Sequence, residues 1–351
     1  MLLYFRLEIF STFVLYFGKM RNNNKSNETV DVSTYLNLKE EIGAFNTCFQ
    51  KTLSEHNSDF QPMIDYISGG SGKRIRPLIV LLSAKLCGGI NPETIEYAVI
   101  LELLHTATLI HDDVVDNTME RRNRPSVNAQ YDNRAAVLLG DYVLTLAIEQ
   151  GVKTQNFEVL RILSSLAKNL VEGELRQLAS SKKAVVSESR YFEVIWKKTA
   201  ALISTCMEMG AISVKSDPDQ IRKLRLIGEK LGLCFQIKDD IFDYFEQGDI
   251  GKPTGNDIRE GKITLPLIYA LQNAPAEISE QQQRIIQKQD FSSESVSGLI
   301  AFAKEYGGIA YAQQKMEELK SEVLEILKEF PDSEAKTGMI NLVDYIIQRT
   351  K

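Results

Sequence analysis

Apolar residues recur every three or four positions from about Val32 to the C-terminus, with almost no sustained alternation. This is the period of the amphipathic α-helix. It predicts helices over residues 32–55, 77–87, 92–117, 133–152, 155–181, 187–213, 218–246, 263–273, 293–305, 309–329 and 332–350. The predicted breaks fall at Gly69 to Gly72, Asn123 to Pro125, Ser216 to Asp219, Gly248 to Gly261 and Asn273 to Pro275. No linker is long or biased enough to separate domains, so we expect one large all-α domain over residues 32–351.

The charge of the chain limits the classes of partner. A net charge of -6 over 351 residues argues against a general nucleic-acid surface, although local basic clusters can still hold a small anion. With 44% hydrophobic and 25% charged residues the chain has a globular composition. The four cysteines, Cys48, Cys87, Cys206 and Cys234, lack the paired spacing of a zinc site or a disulfide framework. We therefore expect a reducing compartment, the cytoplasm.

The first 31 residues do not continue the helical pattern. Leu2 to Phe17 is largely apolar but is interrupted by Arg6 and Glu8, and it is short for a membrane span. A polar tract follows, typical of a disordered lead-in. We expect residues 1–31 to be an N-terminal extension outside the fold. Our hypothesis is that Met20 is the true start, which the intact mass of the native protein would test; an interfacial anchor is the alternative.

Two acidic clusters lie in apolar, helix-patterned segments: His111-Asp112-Asp113-Val114-Val115-Asp116 and Asp239-Asp240-Ile241-Phe242-Asp243. A helix brings positions i and i+4 onto one face, so Asp112 pairs with Asp116 and Asp239 with Asp243. Neighbouring carboxylates repel one another unless a cation neutralises them. Mg²⁺ binds one or two carboxylates together with phosphate oxygens and water. The clusters therefore predict magnesium and a phosphate-containing ligand.

The predicted helix around the first cluster carries a graded stripe. At about 100° per residue, one face presents Leu101, His105, Thr108, Asp112 and Asp116 in that order. With this face inward, the helix would line an elongated cavity that is apolar at one end and binds metal at the other. The alternative is a solvated polar stripe on a surface helix, and a lone histidine on such a helix is usually a core residue. The apolar surroundings from Leu101 to Ile110 favour the cavity.

Basic residues supply the complementary charge. They occur in Gly72-Lys73-Arg74-Ile75-Arg76-Pro77, at Arg121-Arg122, in Trp196-Lys197-Lys198-Thr199-Ala200 and in Gly251-Lys252-Pro253-Thr254-Gly255. The planar guanidinium of arginine suits phosphate oxygens, and lysine adds a point charge. Such clusters alone are more often solvated loops, but beside two magnesium-type clusters they favour a diphosphate site. We expect Lys198 and Lys252 to hold the diphosphate and Lys197 to be exposed.

Five of these motifs, in this order, resemble the trans-isoprenyl diphosphate synthases, also called polyprenyl synthetases, and in particular their medium- and long-chain members. The motifs are Gly-Lys-Arg-Ile-Arg-Pro at 72–77, His-Asp-Asp-Val-Val-Asp at 111–116, Arg121-Arg122, Lys198-Thr199 and Phe235-Gln236-Ile237-Lys238-Asp239-Asp240-Ile241-Phe242-Asp243. The resemblance runs from about Val32 to the C-terminus. It implies a single bundle of mostly antiparallel helices around a deep central cavity, the isoprenoid synthase type of fold, and a homodimer.

The resemblance also implies a role for individual residues. Asp112, Asp116, Asp239 and Asp243 would bind Mg²⁺, with Asp113 and Asp240 behind them. Lys73, Arg76, His105 and Arg122 would bind isopentenyl diphosphate, and Arg121, Lys198, Thr199, Gln236, Lys252 and Lys262 would bind an allylic diphosphate. Catalysis would depend on Asp112, Asp116, Asp239, Lys198 and Lys252. Asn123 and Arg124 depart from the family pattern of glycine and lysine, and no role above rests on them.

The implied reaction is a head-to-tail condensation that needs no enzyme nucleophile. Breaking the allylic carbon–oxygen bond leaves charge on the diphosphate, which magnesium and basic residues stabilise. The allylic cation must be kept from water while the isopentenyl double bond attacks it. The product would be an all-trans polyprenyl diphosphate.

Product length depends on the residues upstream of Asp112. In this family a bulky side chain four or five positions before the first aspartate ends growth early, whereas Ala107 and Thr108 are small. We therefore expect a medium-to-long product, a quinone side-chain precursor, limited deeper in the cavity by Leu104, Leu101 or apolar residues such as Tyr142, Val143 and Leu146. We also expect a transient membrane-surface contact that releases this lipid.

Three other classes were weighed. A terpene cyclase also uses aspartate-rich magnesium sites but needs no second diphosphate anchor such as Lys73 and Arg76. A non-catalytic subunit of a heteromeric synthase should lack aspartates or arginines that this chain retains. A histidine and aspartate phosphohydrolase would need more than the three histidines present.

Overall fold

The computed structural model describes residues 37–54, 59–69, 74–121, 124–183, 187–245 and 254–348. The described residues form sixteen α-helices, one π-helical turn and one small hairpin. The helices are α1 (Lys39–Ser54), α2 (Gln61–Ser68), α3 (Ile75–Leu86), α4 (Pro92–Val115), α5 (Val127–Gln130), α6 (Asn133–Lys153), α7 (Phe157–Lys183), α8 (Glu188–Ile195), α9 (Ala201–Ser213), α10 (Pro218–Phe242), α11 (Asn256–Arg259), α12 (Leu265–Asn273), α13 (Ala276–Gln287), α14 (Ser293–Glu305), α15 (Gly308–Lys328) and α16 (Glu334–Gln348). The π-helical turn, Trp196–Ala200, joins α8 to α9, and the hairpin pairs β1 (Glu120–Arg121) with β2 (Arg124–Pro125). The all-α prediction is confirmed.

Each predicted helix matches an observed helix to within a few residues at its ends. The exception is the start of the first predicted helix, where residues 32–36 lie outside the described part of the chain. Helix α4 starts with a capping box: the Asn91 side chain accepts from the Thr94 backbone N–H, and the Asn91 backbone N–H donates to Thr94 Oγ1. The periodicity missed α2, α5, α11 and α13. Three of these helices have eight residues or fewer, and α13 carries the polar run Glu-Gln-Gln-Gln-Arg, so the apolar repeat is weak there.

The helices enclose one main hydrophobic core. Helix α4 packs against α1, α3, α6 and α9, and α9 in turn packs against α3, α7 and α10. Helix α10 is covered on other sides by α15, α16 and the π-helical turn. A smaller cluster under α12, α13 and α14 centres on Tyr244, Leu267 and Leu299. Because both acidic clusters lie at the C-terminal ends of these core helices, α4 and α10, the core fixes their position.

Helix α6 is long and apolar enough to cross a membrane, the single such case in the described ranges. One side of it packs on α4 through Ala136, Val143 and Ala147, which are buried. The other side exposes Leu138 and Val152 to the outside of the monomer. Core packing explains why the first face is apolar, but it does not explain why the exposed face is apolar too.

Candidate active site

The first acidic cluster lies at the end of α4. Asp112 is in its last turn, and Asp116 follows the helix and donates its backbone N–H to the Asp112 carbonyl at 2.8 Å. Burial raises the pKa of Asp112 to about 6, with smaller effects from Lys198, which lowers it, and from Glu174 and Asp116, which raise it. Removing a carboxylate from water costs free energy that a bound cation recovers. Asp112 is therefore poised to bind a positive ion.

Asp113 points away from Asp112 and holds the hairpin. Both of its carboxylate oxygens accept hydrogen bonds from Arg121 Nε at 2.8 Å, and Oδ1 also accepts from Nη2 at 2.7 Å. The Asp113 side chain is buried, whereas Arg121 keeps about a third of its surface exposed. This paired geometry fixes the guanidinium plane and leaves its remaining donors toward solvent. Asp113 thus orients Arg121.

The second acidic cluster lies at the end of α10, and both carboxylate oxygens of its middle residue, Asp240, accept hydrogen bonds. Asp240 Oδ1 accepts from Gln236 Nε2 at 2.8 Å, and Oδ2 accepts from the Tyr191 hydroxyl at 2.6 Å. Burial raises the pKa of Asp240 to about 6, and the two hydrogen bonds oppose the rise. Gln236 Oε1 in turn accepts from Thr199 Oγ1 at 2.7 Å. A continuous polar network therefore links Tyr191, α10 and the π-helical turn.

Asp239 and Asp243, the other two aspartates of this cluster, have different surroundings. Asp239 is half-buried on α10. Both carboxylate oxygens of Asp243 accept backbone N–H bonds from the start of α11, from Asn256 at 2.9 Å and from Asp257 at 3.0 Å. Gly255 allows the chain to turn back toward Asp243, because its backbone φ of +77° is one that residues with a side chain rarely adopt. Asp243 therefore fixes the loop after α10, and only the second lone pairs of its oxygens are left for a metal.

The π-helical turn places three side chains. Lys198 Nζ pairs with Glu174 Oε2 on α7 at 2.7 Å, while Thr199 joins the network on α10. Lys197 was expected to be exposed and is not. Its Nζ binds Glu172 Oε2 at 2.8 Å and Asn169 Oδ1 at 3.1 Å, with 15% of the side chain exposed. Partners on α7, far away in sequence, account for the difference.

A cleft with roughly 740 Å³ of empty space, part of it open to solvent, brings these elements together. Of the predicted allylic diphosphate ligands it is lined by Lys198, Thr199, Gln236 and Lys262. Other lining residues come from α7, α8, α10 and the segment around α11, including Gln177, Ser180, Ser181, Arg190, Tyr191, Asp240 and Asp257. The cleft lining therefore combines hydroxyl, cationic and carboxylate groups with apolar side chains such as Val194 and Ile268.

Electrostatic interactions place the first acidic cluster beside this cleft. The Lys198 ammonium and the Arg121 guanidinium both lower the pKa of Asp112. Burial would lower the pKa of Lys262, but hydrogen bonding to Glu260 and the charge of Asp116 raise it overall. Asp112 thus neighbours one cleft lysine and Asp116 another. Of the second cluster, Asp240 lines the cleft itself.

The predicted isopentenyl diphosphate site is only partly described. Arg76 lies in the first turn of α3 and His105 is buried on α4. Arg74, between the predicted ligands, turns inward: Nη1 binds Glu102 Oε1 at 2.8 Å, and its guanidinium lies 4.8 Å from the Phe49 ring centre. Lys73, Arg122 and Lys252 lie outside the described residues, as does the N-terminal extension.

The residues predicted to set product length lie in or next to the main core. Leu104 and Ala107 are buried, and Thr108 is half-buried with its hydroxyl bonded to the His105 carbonyl at 2.9 Å. Val143 and Leu146 on α6 are also buried and face the core. The small side chains at 107 and 108 thus lie on the α4 surface that packs inward.

Among the described residues, no three His, Cys, Asp or Glu side chains converge into a protein-only metal site. A site built from pairs of carboxylates on two helices is consistent with this finding, since Mg²⁺ bound with a diphosphate takes few protein ligands. The donor set, carboxylate oxygens alone, also fits a hard divalent cation and no softer metal.

Sequence reasoning missed Tyr191, Arg190, Ser180 and Asp257, which line the cleft. In the sequence, Tyr191 looks like an ordinary core residue. Burial raises its pKa well above the usual value, so the hydroxyl stays protonated and donates a hydrogen bond to Asp240. Asp257 follows a loop whose contacts the helical period does not encode. Gln177 of α7 lines the cleft as well.

The fold is all-α, and its cleft brings lysine, hydroxyl and carboxylate side chains together. Residues 57–302 match the family model described as polyprenyl synthetase. The octaprenyl diphosphate synthase of Haemophilus influenzae is 34% identical over 305 residues, covering 86% of this chain and 92% of its own length.

Two solved structures are similar over nearly the whole fold. The decaprenyl diphosphate synthase of Rhodobacter capsulatus has a TM-score of 0.84 and 32% identity, covering 91% of this chain and 98% of its own. A polyprenyl synthase of Caulobacter crescentus complexed with calcium and isoprenyl diphosphate has a TM-score of 0.83 and 29% identity, covering 93% and 100%. The chain belongs to the polyprenyl synthetase family. The predicted family, its all-α isoprenoid synthase fold and its prenyltransferase class are confirmed.

Proposed function

We propose that this enzyme condenses isopentenyl diphosphate with an allylic diphosphate, head to tail, to give an all-trans polyprenyl diphosphate of medium-to-long chain length. The observation that carries the proposal is the cleft in which Lys198, Thr199, Gln236 and Lys262 lie beside Asp112 and Asp116. Cations and carboxylates around one cleft suit a metal-bound diphosphate better than a neutral substrate.

The allylic diphosphate would bind in this cleft. Lys198 and Lys262 supply positive charge, and Arg121, held by Asp113, supplies further donors from the hairpin. Each of these cations already pairs with a carboxylate: Lys198 with Glu174, Lys262 with Glu260 at 2.5 Å and Arg121 with Asp113. The pairs hold the cations in place before the substrate arrives, which is the preorganisation that transition-state stabilisation needs.

Magnesium is the cofactor we propose, with Asp112, Asp116 and Asp239 as ligands and Asp243 as a weaker candidate because the start of α11 engages it. Bound there with the diphosphate, Mg²⁺ would stabilise the charge that develops on the leaving group. The buried carboxyl of Asp112, with its raised pKa, fits such a cation. The Caulobacter crescentus polyprenyl synthase is complexed with calcium, which supports divalent cation binding by that relative.

Isopentenyl diphosphate would bind near Arg76 at the start of α3 and His105 on α4. The apolar α4 surface beyond Thr108 would then receive the growing chain and keep water from the allylic cation. The departing diphosphate is the base we propose for the final proton loss, since the described cleft needs no other. The octaprenyl and decaprenyl synthases among the relatives support a medium-to-long product.

One incubation tests this function. The purified chain, supplied with labelled isopentenyl diphosphate, geranyl diphosphate and Mg²⁺, should form lipids well beyond 20 carbons, resolved by chromatography after dephosphorylation. Chelation with EDTA should abolish incorporation and added Mg²⁺ should restore it. Products of 20 carbons or fewer would contradict the proposed chain length, and a cyclic hydrocarbon would assign the chain to the terpene cyclases instead.

We also propose that the protein is a homodimer. Helix α6 exposes Leu138, Ile148 and Val152 within an arc of about 80°, and the adjacent α7 exposes Val171 and Leu175. Their exposed fractions are 68%, 47%, 55%, 59% and 61%. Exposed apolar side chains on two helices that pack against each other indicate an interface. It also explains why α6 is apolar on both sides.

Placing a charge on this surface should separate the dimer. We expect the double variant Leu138→Glu and Leu175→Glu to sediment as a monomer, because burying two carboxylates in an apolar interface costs several kcal/mol. Analytical ultracentrifugation measures the change. Ala301→Glu, at an exposed position of α14, is the matched control and should keep the wild-type assembly. A monomeric wild-type protein, or a dimeric double variant, would refute this interface.

We place the enzyme in the cytoplasm, since all four cysteines are described and all are free thiols. A transient contact with a membrane surface would accept the lipid product.

A further inference from the structure

The π-helical turn sits between two helices at a distance that only glycine allows. A Cβ on Gly173 of α7 would lie 2.9 Å from Lys197 Cβ and 2.9 Å from Lys198 N. On the opposite side, a Cβ on Gly232 of α10 would lie 2.4 Å from Ala200 Cα. Ordinary contact between carbon atoms is about 3.5–4 Å, so both approaches exclude any side chain. Backbone therefore packs directly on backbone at this turn.

Ion pairs on either side of Gly173 complete the contact. Glu172 binds Lys197, and Glu174 binds Lys198, so two consecutive lysines straddle one glycine of α7. Lys198 lines the cleft, whereas Lys197 does not and instead reaches Asn169 as well as Glu172. On the α10 side, Thr199 is tied to Gln236. Each residue from 197 to 200 thus has its own fixed contact.

We propose that Gly173, Gly232 and the Lys197–Glu172 pair are positioning residues that aim Lys198 and Thr199 into the cleft. A π-helical turn carries one residue more than an α-helical turn, and such turns are frequent at functional sites. Here the extra residue lets Lys197 and Lys198 point to different sides of Gly173. If residues 196–200 formed a regular helix, the segment would lie farther from α7 and α10. Lys198 would then no longer pair with Glu174 or flank Asp112. The inference rests on the proposed allylic diphosphate site.

Glycine-to-alanine variants test the spacing. Gly173→Ala and Gly232→Ala should raise the KM for geranyl diphosphate on the order of 10- to 100-fold, because misplacing a binding group by about 1 Å has effects of this size. The KM for isopentenyl diphosphate should stay within about twofold, since Arg76 and His105 lie on other helices. Gly43→Ala and Gly298→Ala are the matched controls: both are helical glycines with nothing within 4 Å of the added Cβ. They should leave both KM values unchanged.

If Gly232→Ala does not fold, two substitutions of Lys197 test the same positioning role. Lys197→Met should raise the KM for geranyl diphosphate while the melting temperature changes little, and Lys197→Arg should restore it in part. If folded variants keep the wild-type KM for geranyl diphosphate, or if both KM values rise equally, the positioning role is refuted. A wild-type chain that makes no polyprenyl diphosphate overturns the proposed function itself, so the two failures are distinct.

Discussion

Replacing Ala107 with tyrosine should shorten the product by several isoprene units. Ala107 lies five residues before Asp112, about 7.5 Å along the axis of α4, which is between one and two helical turns. Its side chain is buried against the main core. A chain growing from a diphosphate at Asp112 along the inner face of α4 would pass this position early. The phenol ring would fill the path that the methyl group leaves open.

Chromatography of the dephosphorylated products measures the effect, and the melting temperature tells two explanations apart. A ring that enters the path should leave the melting temperature nearly unchanged while the longest products disappear. A ring forced into packed core should cost about 1–3 kcal/mol of stability and leave product length as it was. That second result would show that this face of α4 does not line the path. Ala107→Ser, similar in size, is the control and should keep the wild-type product.

The helices could be predicted from the sequence because burial imposes a period on apolar residues. Long helices such as α6 and α15 were placed within a residue or two at each end. The period carries no information where a helix is too short to show two turns, as in α11, and little where polar residues fill most of the helix, as in α13. It also cannot show that residues 196–200 add one residue to a turn, because helix and π-turn share the same apolar contacts.

The candidate site could be predicted in part, and the limit has a physical cause. Asp112 and Asp116, or Lys198 and Thr199, are neighbours on one helix, so their spacing alone brings them together. The partners that orient them come from distant segments: Glu174 for Lys198 and Tyr191 for Asp240. Such tertiary pairs have no fixed spacing in the sequence. This is also why Lys197, bound to Glu172, was wrongly expected to be exposed. The metal and substrate roles assigned to these residues stay predictions.

Asp112→Asn and Asp113→Asn should have different effects, although the two residues are adjacent. In Asp112→Asn the metal loses a charged ligand, so kcat should fall on the order of 100- to 1000-fold and the Mg²⁺ concentration for half-maximal rate should rise. In Asp113→Asn the metal ligands remain, but one of the two oxygens that hold Arg121 becomes an amide nitrogen, which cannot accept its hydrogen bond. The expected result is mainly a higher KM for the allylic substrate.

Steady-state kinetics at varied Mg²⁺ and varied geranyl diphosphate separate the two outcomes. Asp332→Asn, at a fully exposed position, makes the same chemical change away from the cleft and should leave all parameters at wild-type values. Equal losses of kcat in both variants would mean that Asp113 is itself a metal ligand and that its bond to Arg121 breaks when the cation binds. A normal Mg²⁺ dependence in Asp112→Asn would remove Asp112 from the metal site.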